Sequence, residues 1–363
     1  GRHPQDDEEP AYVAQFRRDG FAVLKDFSPM EERNEMKAAM AKLTAQYWRN
    51  ASKRTTVFLT DEGQSEAQAK AAAFFESADG VEFFEEPGRD ALNKVGHGLH
   101  LDAATPFGKY ARSDKVAAVL RSLGYRAPVL PQSMYIFKSK NGAGGEVTSH
   151  QDASFLQTSP AQTVVGLWLA LDDATVDNGC LWARNASHFE PLRRAFVRRW
   201  VSSSASSGAH YTELDEEHPV MVFEDAFAAE DAAAVRDDDD GVSPPPPERA
   251  WFDARLLGGG SGFDDVDDAA VRTPRRRRFV GRTEVPWEGT SLDAAAVENL
   301  GYVPLPVAAG SLVVFPGTLD HLSLPNTSPD RDRHTFQLHA IEGPKAGVSW
   351  CASNWLQYAD GRP

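Results

Sequence analysis

Met134-Tyr135-Ile136-Phe137 is a short apolar run, and it opens a series: Val164 to Leu171, Cys180-Leu181-Trp182, Ser311 to Phe315 and Thr335 to Ile341. Each is apolar or alternating and is bounded by Gly, Pro or Asn clusters, which is how strands read. Ahead of them the pattern is helical. Glu9 to Asp19 reads as a short helix ending near Gly20, followed by a strand at Phe21-Ala22-Val23-Leu24. Ser28-Pro29-Met30-Glu31 carries a helix start, with Ser28 as N-cap and Pro29 in the first turn, and that helix runs to about Trp48. Lys115 to Leu123, closed by Gly124, is another. Helices first and many short strands afterwards predict a mainly β fold, a sandwich or jelly roll with helices packed outside. No internal repeat interrupts this order.

Composition narrows the function classes. The chain has 363 residues, 41% hydrophobic and 25% charged, which fits a globular protein and excludes a disordered or collagen-like one. It lacks an apolar run long enough for a transmembrane helix. The net charge of −15 argues against binding nucleic acid or an anionic membrane through the general surface. Two cysteines, Cys180 and Cys351, support neither a disulfide framework nor a multi-thiolate zinc site. The first ten residues, 1–10, read as a flexible polar segment without a signal-peptide core, so a cytoplasmic location is the default expectation.

The charge is concentrated. Glu213 to Asp240 holds twelve acids and one base, Arg236. Pro244–Pro247, a Gly-rich stretch near Gly258 and the basic run Arg275–Arg278 follow. This marks 208–292 as an acidic low-complexity insertion within a single domain spanning 11–363. A tolerated surface insertion is the simpler reading, because loops accept length cheaply. Its opposite charges can pair within the loop, and a protein partner for it is not specified by the sequence.

Two places carry candidate chemistry. In Ser149-His150-Gln151-Asp152, the His and the Asp lie on one side of an extended segment and can reach one metal ion. His321 follows the apolar strand through Phe315-Pro316-Gly317. Two histidines and one carboxylate form the facial triad of non-haem Fe(II) oxygenases, which leaves three positions for an organic cosubstrate and dioxygen. His-x-Asp alone is common by chance. Arg331 and Arg333 then precede the strand Thr335 to Ile341. An Arg there can hold the far end of a dicarboxylate bidentately. Arg333 directly precedes the strand and is preferred, with Arg331 as the alternative.

With these residues in place, the chain resembles the phytanoyl-CoA dioxygenase family of Fe(II)- and 2-oxoglutarate-dependent oxygenases, nearest the group of phytanoyl-CoA dioxygenase domain-containing proteins. The resembling blocks begin with Asp19 to Leu24 and Asn93 to His100. They continue through Gln132 to Lys138, Gly144 to Val147, His150 to Leu156 and Asn178 to Trp182. They end with His321, Ser323, Asn326, Ser328, Arg333 and Asn354 to Gln357. They cover most of the chain outside about Ser202 to Asn299. The chain departs from the family at Pro329, which looks like one extra residue before the arginine. It departs again at Ala183 to His188, where Ser187-His188 survives but the family's usual turn glycine does not.

The resemblance implies a double-stranded β-helix (jelly roll, cupin-like) with flanking helices. It implies that His150, Asp152 and His321 ligate Fe(II), and that Arg333 pairs with 2-oxoglutarate with support from Ser323. Met134 and Trp168 would line the cosubstrate pocket, with Lys94 as a second positive contact and Gln132 as a polar lining residue. Met134 and Trp168 are equally natural as strand packing. The expected reaction is hydroxylation of an unactivated carbon of a small-molecule or acyl substrate, consuming O2 and releasing succinate and CO2, with ascorbate as reductant. A catalytically silent module binding the same metal and cosubstrate is the alternative. A zinc hydrolase would leave the arginine without a purpose. His97 and His100 read as pocket or structural residues, with structural favoured, and His188 as a turn residue bonded locally. Cys180 reads as a small buried hydrophobe, and Asn178-Gly179 as a hairpin turn. Asn185-Ala186-Ser187 fits a glycosylation pattern without a secretory context.

Overall fold

The computed structural model describes residues 9–49, 80–86, 90–199, 220–225 and 289–358. The segment 1–8 and nearly all of the acidic insertion at 208–292 lie outside the described residues. Helix α1 (Ala11–Asp19) ends where Gly20 takes φ 84° and donates its N–H to Phe16 O. This left-handed cap suits a residue without Cβ, and a Cβ there would lie 2.4 Å from His188 Nδ1. Strand β1 (Ala22–Leu24) leads into α2 (Met30–Arg49). Here Ser28 is not the expected N-cap: its hydroxyl bonds the Glu32 carboxylate, and Pro29 O accepts the first helical bond, from Arg33. Strands β2 (Val81–Glu85) and β3 (Leu92–His97) follow, then helices α3 (Pro106–Ala111) and α4 (Asp114–Ser122). Ser113 caps α4 through its hydroxyl, which accepts from Val116 N.

The remaining elements are mostly strands: β4 (Pro128–Lys138), β5 (Val147–His150), β6 (Thr158–Ser159), β7 (Val165–Ala170) and β8 (Leu181–Arg184). After β9 (Arg194–Arg199), β10 (Val220–Asp225) and α5 (Ala294–Asn299) come β11 (Tyr302–Leu305) and β12 (Leu312–Pro316). The last are β13 (His321–Ser323), β14 (Arg333–Glu342) and β15 (Ser349–Trp350). One sheet has seven strands in the order β1-β12-β7-β14-β4-β3-β2, and a second has four in the order β11-β8-β13-β5. The named pairs are antiparallel. This is the expected jelly roll.

Alternation along the strands separates two cores. Val165, Leu167 and Leu169 of β7, Leu312 and Val314 of β12, and Phe336, Leu338 and Ala340 of β14 pack outward against Phe16, Met36, Phe107 and Leu120 of the helices. Trp168 and Ala170, with Val313 and Phe315, point inward to meet Leu181, Trp182 and Leu322 of the second sheet. Strands buried on both faces read as unbroken apolar runs, which explains the pattern at Val164 to Leu171. β14 differs, because its inward positions are polar: Arg333, Thr335, Gln337 and His339 pair with Lys138, Ile136, Met134 and Gln132 of β4.

Two local expectations are corrected. Asn178-Gly179 forms a turn, with Gly179 at φ 85°, but not a hairpin, because it carries the chain from β7 in one sheet to β8 in the other. His188 does not bond locally: its ring Nε2 meets Arg17 O at 3.0 Å, at the end of α1. Cys180 is fully buried, as expected. Among the described residues, no helix is long and apolar enough to cross a membrane.

Candidate metal centre

His150 ends β5 and His321 begins β13, and the two are cross-strand partners, with ring centroids 4.3 Å apart. Past His150 the chain turns into a short 3₁₀ segment that starts at Asp152, anchored by Ala153 N donating to Gly317 O. Each histidine is oriented by its own backbone. His150 Nδ1 donates to Thr148 O at 2.7 Å, and His321 Nδ1 donates to Leu319 O at 3.0 Å. Those bonds fix the tautomer and turn both Nε2 atoms toward Asp152 Oδ1, at 3.5 and 3.8 Å. The three ligand atoms lie within 4.8 Å of one another. An octahedral ion would draw neighbouring N and O ligands to about 3 Å apart, which small side-chain adjustments achieve.

Protonation also suits a metal. Burial alone would raise the Asp152 carboxyl, but the neighbouring histidines, His339 foremost with its hydrogen bond, hold it well below the usual carboxylate range. Burial pushes His321 down to about 4. At neutral pH the set is therefore an ionised carboxylate beside a neutral imidazole, the state a ligand needs. The second carboxylate oxygen, Oδ2, receives a 3.0 Å hydrogen bond from His339 Nε2. His339 Nδ1 in turn lies 2.9 Å from Gln132 Nε2 on the paired strand.

These residues line one cavity of about 940 Å³, including its open mouth, between the two sheets. Lys94, Gln132, Met134, Trp168, Ser323 and Arg333 line it together with the triad. Arg331 does not: it is half exposed and its guanidinium lies 2.5 Å from the Asp177 carboxylate at the surface. Arg333 is 1% exposed. Its Nη1 donates to Thr335 Oγ1 at 3.2 Å, its guanidinium carbon stands 5.5 Å from the Trp168 ring centroid, and its Nε has no hydrogen-bond acceptor. Among the described residues no carboxylate pairs with it. Burial pushes it down to about 9, against weak support from Cys180 and Asp172. A buried, underused guanidinium facing a cavity is suited to an anionic ligand. Lys94 is also buried, 4.5 Å from the Phe84 ring centroid, and desolvation holds its ammonium well below the usual lysine range.

Behind the triad lies a second polar cluster. The Asp320 carboxylate is fully buried and accepts from Ser149 Oγ at 2.8 Å, Arg184 Nε at 3.0 Å and Arg193 Nη1 at 3.0 Å. It thereby ties the residue before His150 to the residue before His321. On the other side, Phe155, Phe196 and Trp355 form an aromatic wall, with His97 packed on Trp355 at 4.8 Å. His100 lies away from the cavity and bonds Ser133 Oγ. Sequence reasoning missed His339, Gln337 and Asp320. The signal for the first two is present: polar residues at 335, 337 and 339 alternate with the apolar Phe336, Leu338 and Ala340.

A jelly roll with two histidines and a carboxylate beside a buried arginine defines the non-haem Fe(II) oxygenases that use 2-oxoglutarate. Within that class, the chain belongs to the phytanoyl-CoA dioxygenase family, whose model, described as Phytanoyl-CoA dioxygenase (PhyH), matches residues 16–220. It is 30% identical to phytanoyl-CoA dioxygenase domain-containing protein 1 of Mus musculus, over 96% of this chain and 94% of the mouse protein. It is 31% identical to phytanoyl-CoA dioxygenase 1 of Oryza sativa subsp. japonica, over 94% of this chain and 91% of the rice protein. A solved non-heme alpha ketoglutarate dependent carbocyclase, SnoK from nogalamycin biosynthesis, aligns at 14% identity with a TM-score of 0.49, covering 97% of this chain and 90% of its own. The protein is an Fe(II)- and 2-oxoglutarate-dependent dioxygenase.

Proposed function

We propose that this dioxygenase hydroxylates an unactivated carbon of a small-molecule or acyl substrate. His150 Nε2, Asp152 Oδ1 and His321 Nε2 hold Fe(II), which supplies oxygen activation coupled to conversion of 2-oxoglutarate to succinate and CO2, with ascorbate keeping the metal reduced. The observation that carries the reading is Arg333, a buried guanidinium with no carboxylate partner among the described residues, in the same cavity as the triad.

The chain's own residues divide the remaining work. Arg333 binds the far carboxylate of 2-oxoglutarate, with Ser323 as a hydrogen-bonding neighbour and Trp168 as the face on which the guanidinium rests. Lys94 adds positive potential from β3, beyond β4, and Gln132 and Met134 of β4 shape the floor between them. Phe155, Phe196 and Trp355 offer an apolar surface where a carbon chain or ring can lie while water is kept out. Among the described lining residues Asp152 is the single carboxylate, and it is committed to the metal. That arrangement favours a substrate that presents an uncharged apolar portion to the iron.

The test is succinate formation from 2-oxoglutarate with Fe(II) and ascorbate, without and with candidate substrates. Succinate should require iron, and Asp152→Ala and Arg333→Ala should each abolish it. Full turnover in either variant would overturn the assignment.

A further inference from the structure

Asp152 is the one ligand of the triad that could offer a metal either one oxygen or two. The histidines cannot vary in this way, because each has its Nδ1 committed to a backbone carbonyl. The number of positions left for 2-oxoglutarate and dioxygen depends on this choice. A carboxylate binding through both oxygens fills four positions with the two histidines and leaves two. The cosubstrate alone needs two for its keto and carboxylate oxygens, so dioxygen would have none.

The structure addresses Oδ2 directly. His339 Nε2 lies 3.0 Å from it, whereas Oδ1 faces the two ligand histidines. A carboxylate can only accept, so His339 Nε2 is the donor. His339 Nδ1 then accepts from Gln132 Nε2 at 2.9 Å, which holds the ring upright on the sheet. The ladder explains why this arrangement fits. His339 is opposite Gln132 on β4 and opposite Gly166 on β7. A Cβ on Gly166 would come within 3.3 Å of Asp152 Oδ2 and 2.8 Å of the Phe315 ring. The glycine therefore leaves room on the sheet for the carboxylate to lie beside its donor. His339 itself is 3% exposed, so water does not compete well for the bond.

We propose that His339 is a positioning residue that engages Asp152 Oδ2 and so presents Asp152 to the metal through Oδ1 alone, preserving the third open position. This rests on the reading that His150, Asp152 and His321 hold the iron.

Two substitutions separate the donor from the packing. In His339→Gln, the side-chain amide nitrogen can occupy the place of Nε2 and still reach Asp152. In His339→Asn, the side-chain amide oxygen can occupy the place of Nδ1 and still accept from Gln132, while the shorter side chain falls short of the carboxylate. Co(II) is the probe, titrated into the purified full chain and followed by its visible d–d absorption, before and after addition of 2-oxoglutarate under anaerobic conditions. Melting temperatures are recorded in parallel. His339→Gln should match the parent within a few-fold in Co(II) affinity and in the spectral change on adding 2-oxoglutarate. His339→Asn should weaken Co(II) or 2-oxoglutarate binding by roughly 10- to 100-fold, the usual cost of losing a partner behind a ligand, and alter the d–d spectrum. Parent-like spectra and affinities in both variants would overturn the proposal. So would equal losses in both, or losses that only follow the melting temperature, since a structural role predicts those. Asp152→Ala serves as the control for the underlying reading: if it binds Co(II) like the parent, the metal assignment fails first, and the proposal fails with it for that separate reason.

Discussion

Arg184 and Arg333 are both drawn into the protein, and they stand in opposite electrostatic circumstances. Burial would depress Arg184, but Glu190 and Asp320 outweigh it and raise its pKa above the ordinary value. Arg333 is more deeply buried, has Thr335 as its one side-chain hydrogen-bond partner among the described residues, and is depressed to about 9. The first arginine is satisfied by the fold. The second has no carboxylate partner among the described residues, which is the basis for proposing that a ligand supplies one. A buried charge that the chain does not neutralise costs stability, and under the proposed function that cost is recovered when a dicarboxylate binds. The comparison separates the structural half of the site from the binding half.

The largest expected effect lies on the structural side. Asp320→Ala removes the buried carboxylate that Arg184 and Arg193 share and leaves Arg184 with Glu190, and chemical denaturation should show a loss of about 3–5 kcal/mol. Arg333→Met should do the reverse. It removes a charge without stranding a partner, so stability without ligand should be unchanged or higher by roughly 1 kcal/mol or more. Its loss appears with cosubstrate. At a hundred times the parent Kd, 2-oxoglutarate should stabilise the metal-loaded parent by about 2.7 kcal/mol and Arg333→Met by no more than about 0.4 kcal/mol in a thermal melt.

Acid sharpens the same contrast. Burial alone would raise Asp320, yet Arg193, Arg184 and Ser149 hold it below the ordinary carboxylate value of 3.8. A depressed carboxyl contributes stability that is full above the unfolded value and is lost as pH falls through the lower folded one. The stability difference between the parent and Asp320→Asn should therefore be constant above about pH 5 and shrink below 3.8. The smallest effect belongs to Arg331. Its pair with Asp177 is exposed, so Arg331→Ala should cost less than about 1 kcal/mol and leave cosubstrate binding intact.

Much of this architecture is legible in the sequence, for physical reasons. Strands buried on both faces read as apolar runs, so β7 and β12 stand out, and the glycine cap of α1 marks its end. The triad is legible because His150 and Asp152 are close in sequence and His321 follows a recognisable strand. Arg331 and Arg333 share strand parity, and alternation cannot choose between them. The choice depends on where β14 begins, and on Asp177, which lies far away in sequence. His339 and Asp320 were missed for a related reason. The partners of His339 are 187 and 207 residues away, and an Asp in the turn Gly317-Thr318-Leu319-Asp320 reads as a surface residue until Ser149, Arg184 and Arg193 close over it. Long-range pairing supplies what periodicity does not. The Ser28 cap failed more locally: its hydroxyl had a competing acceptor in Glu32.

The central claim is that Arg333 is kept without a carboxylate partner so that 2-oxoglutarate can supply one. The most direct measurement is anaerobic calorimetric titration of 2-oxoglutarate into the metal-loaded parent, Arg333→Met and Arg331→Ala. The account predicts saturable one-site binding for the parent, the same affinity for Arg331→Ala, and at least a roughly hundredfold loss for Arg333→Met, in line with about 2–5 kcal/mol for a lost buried charge contact. Parent-like binding by Arg333→Met, or loss of binding by Arg331→Ala alone, would contradict it.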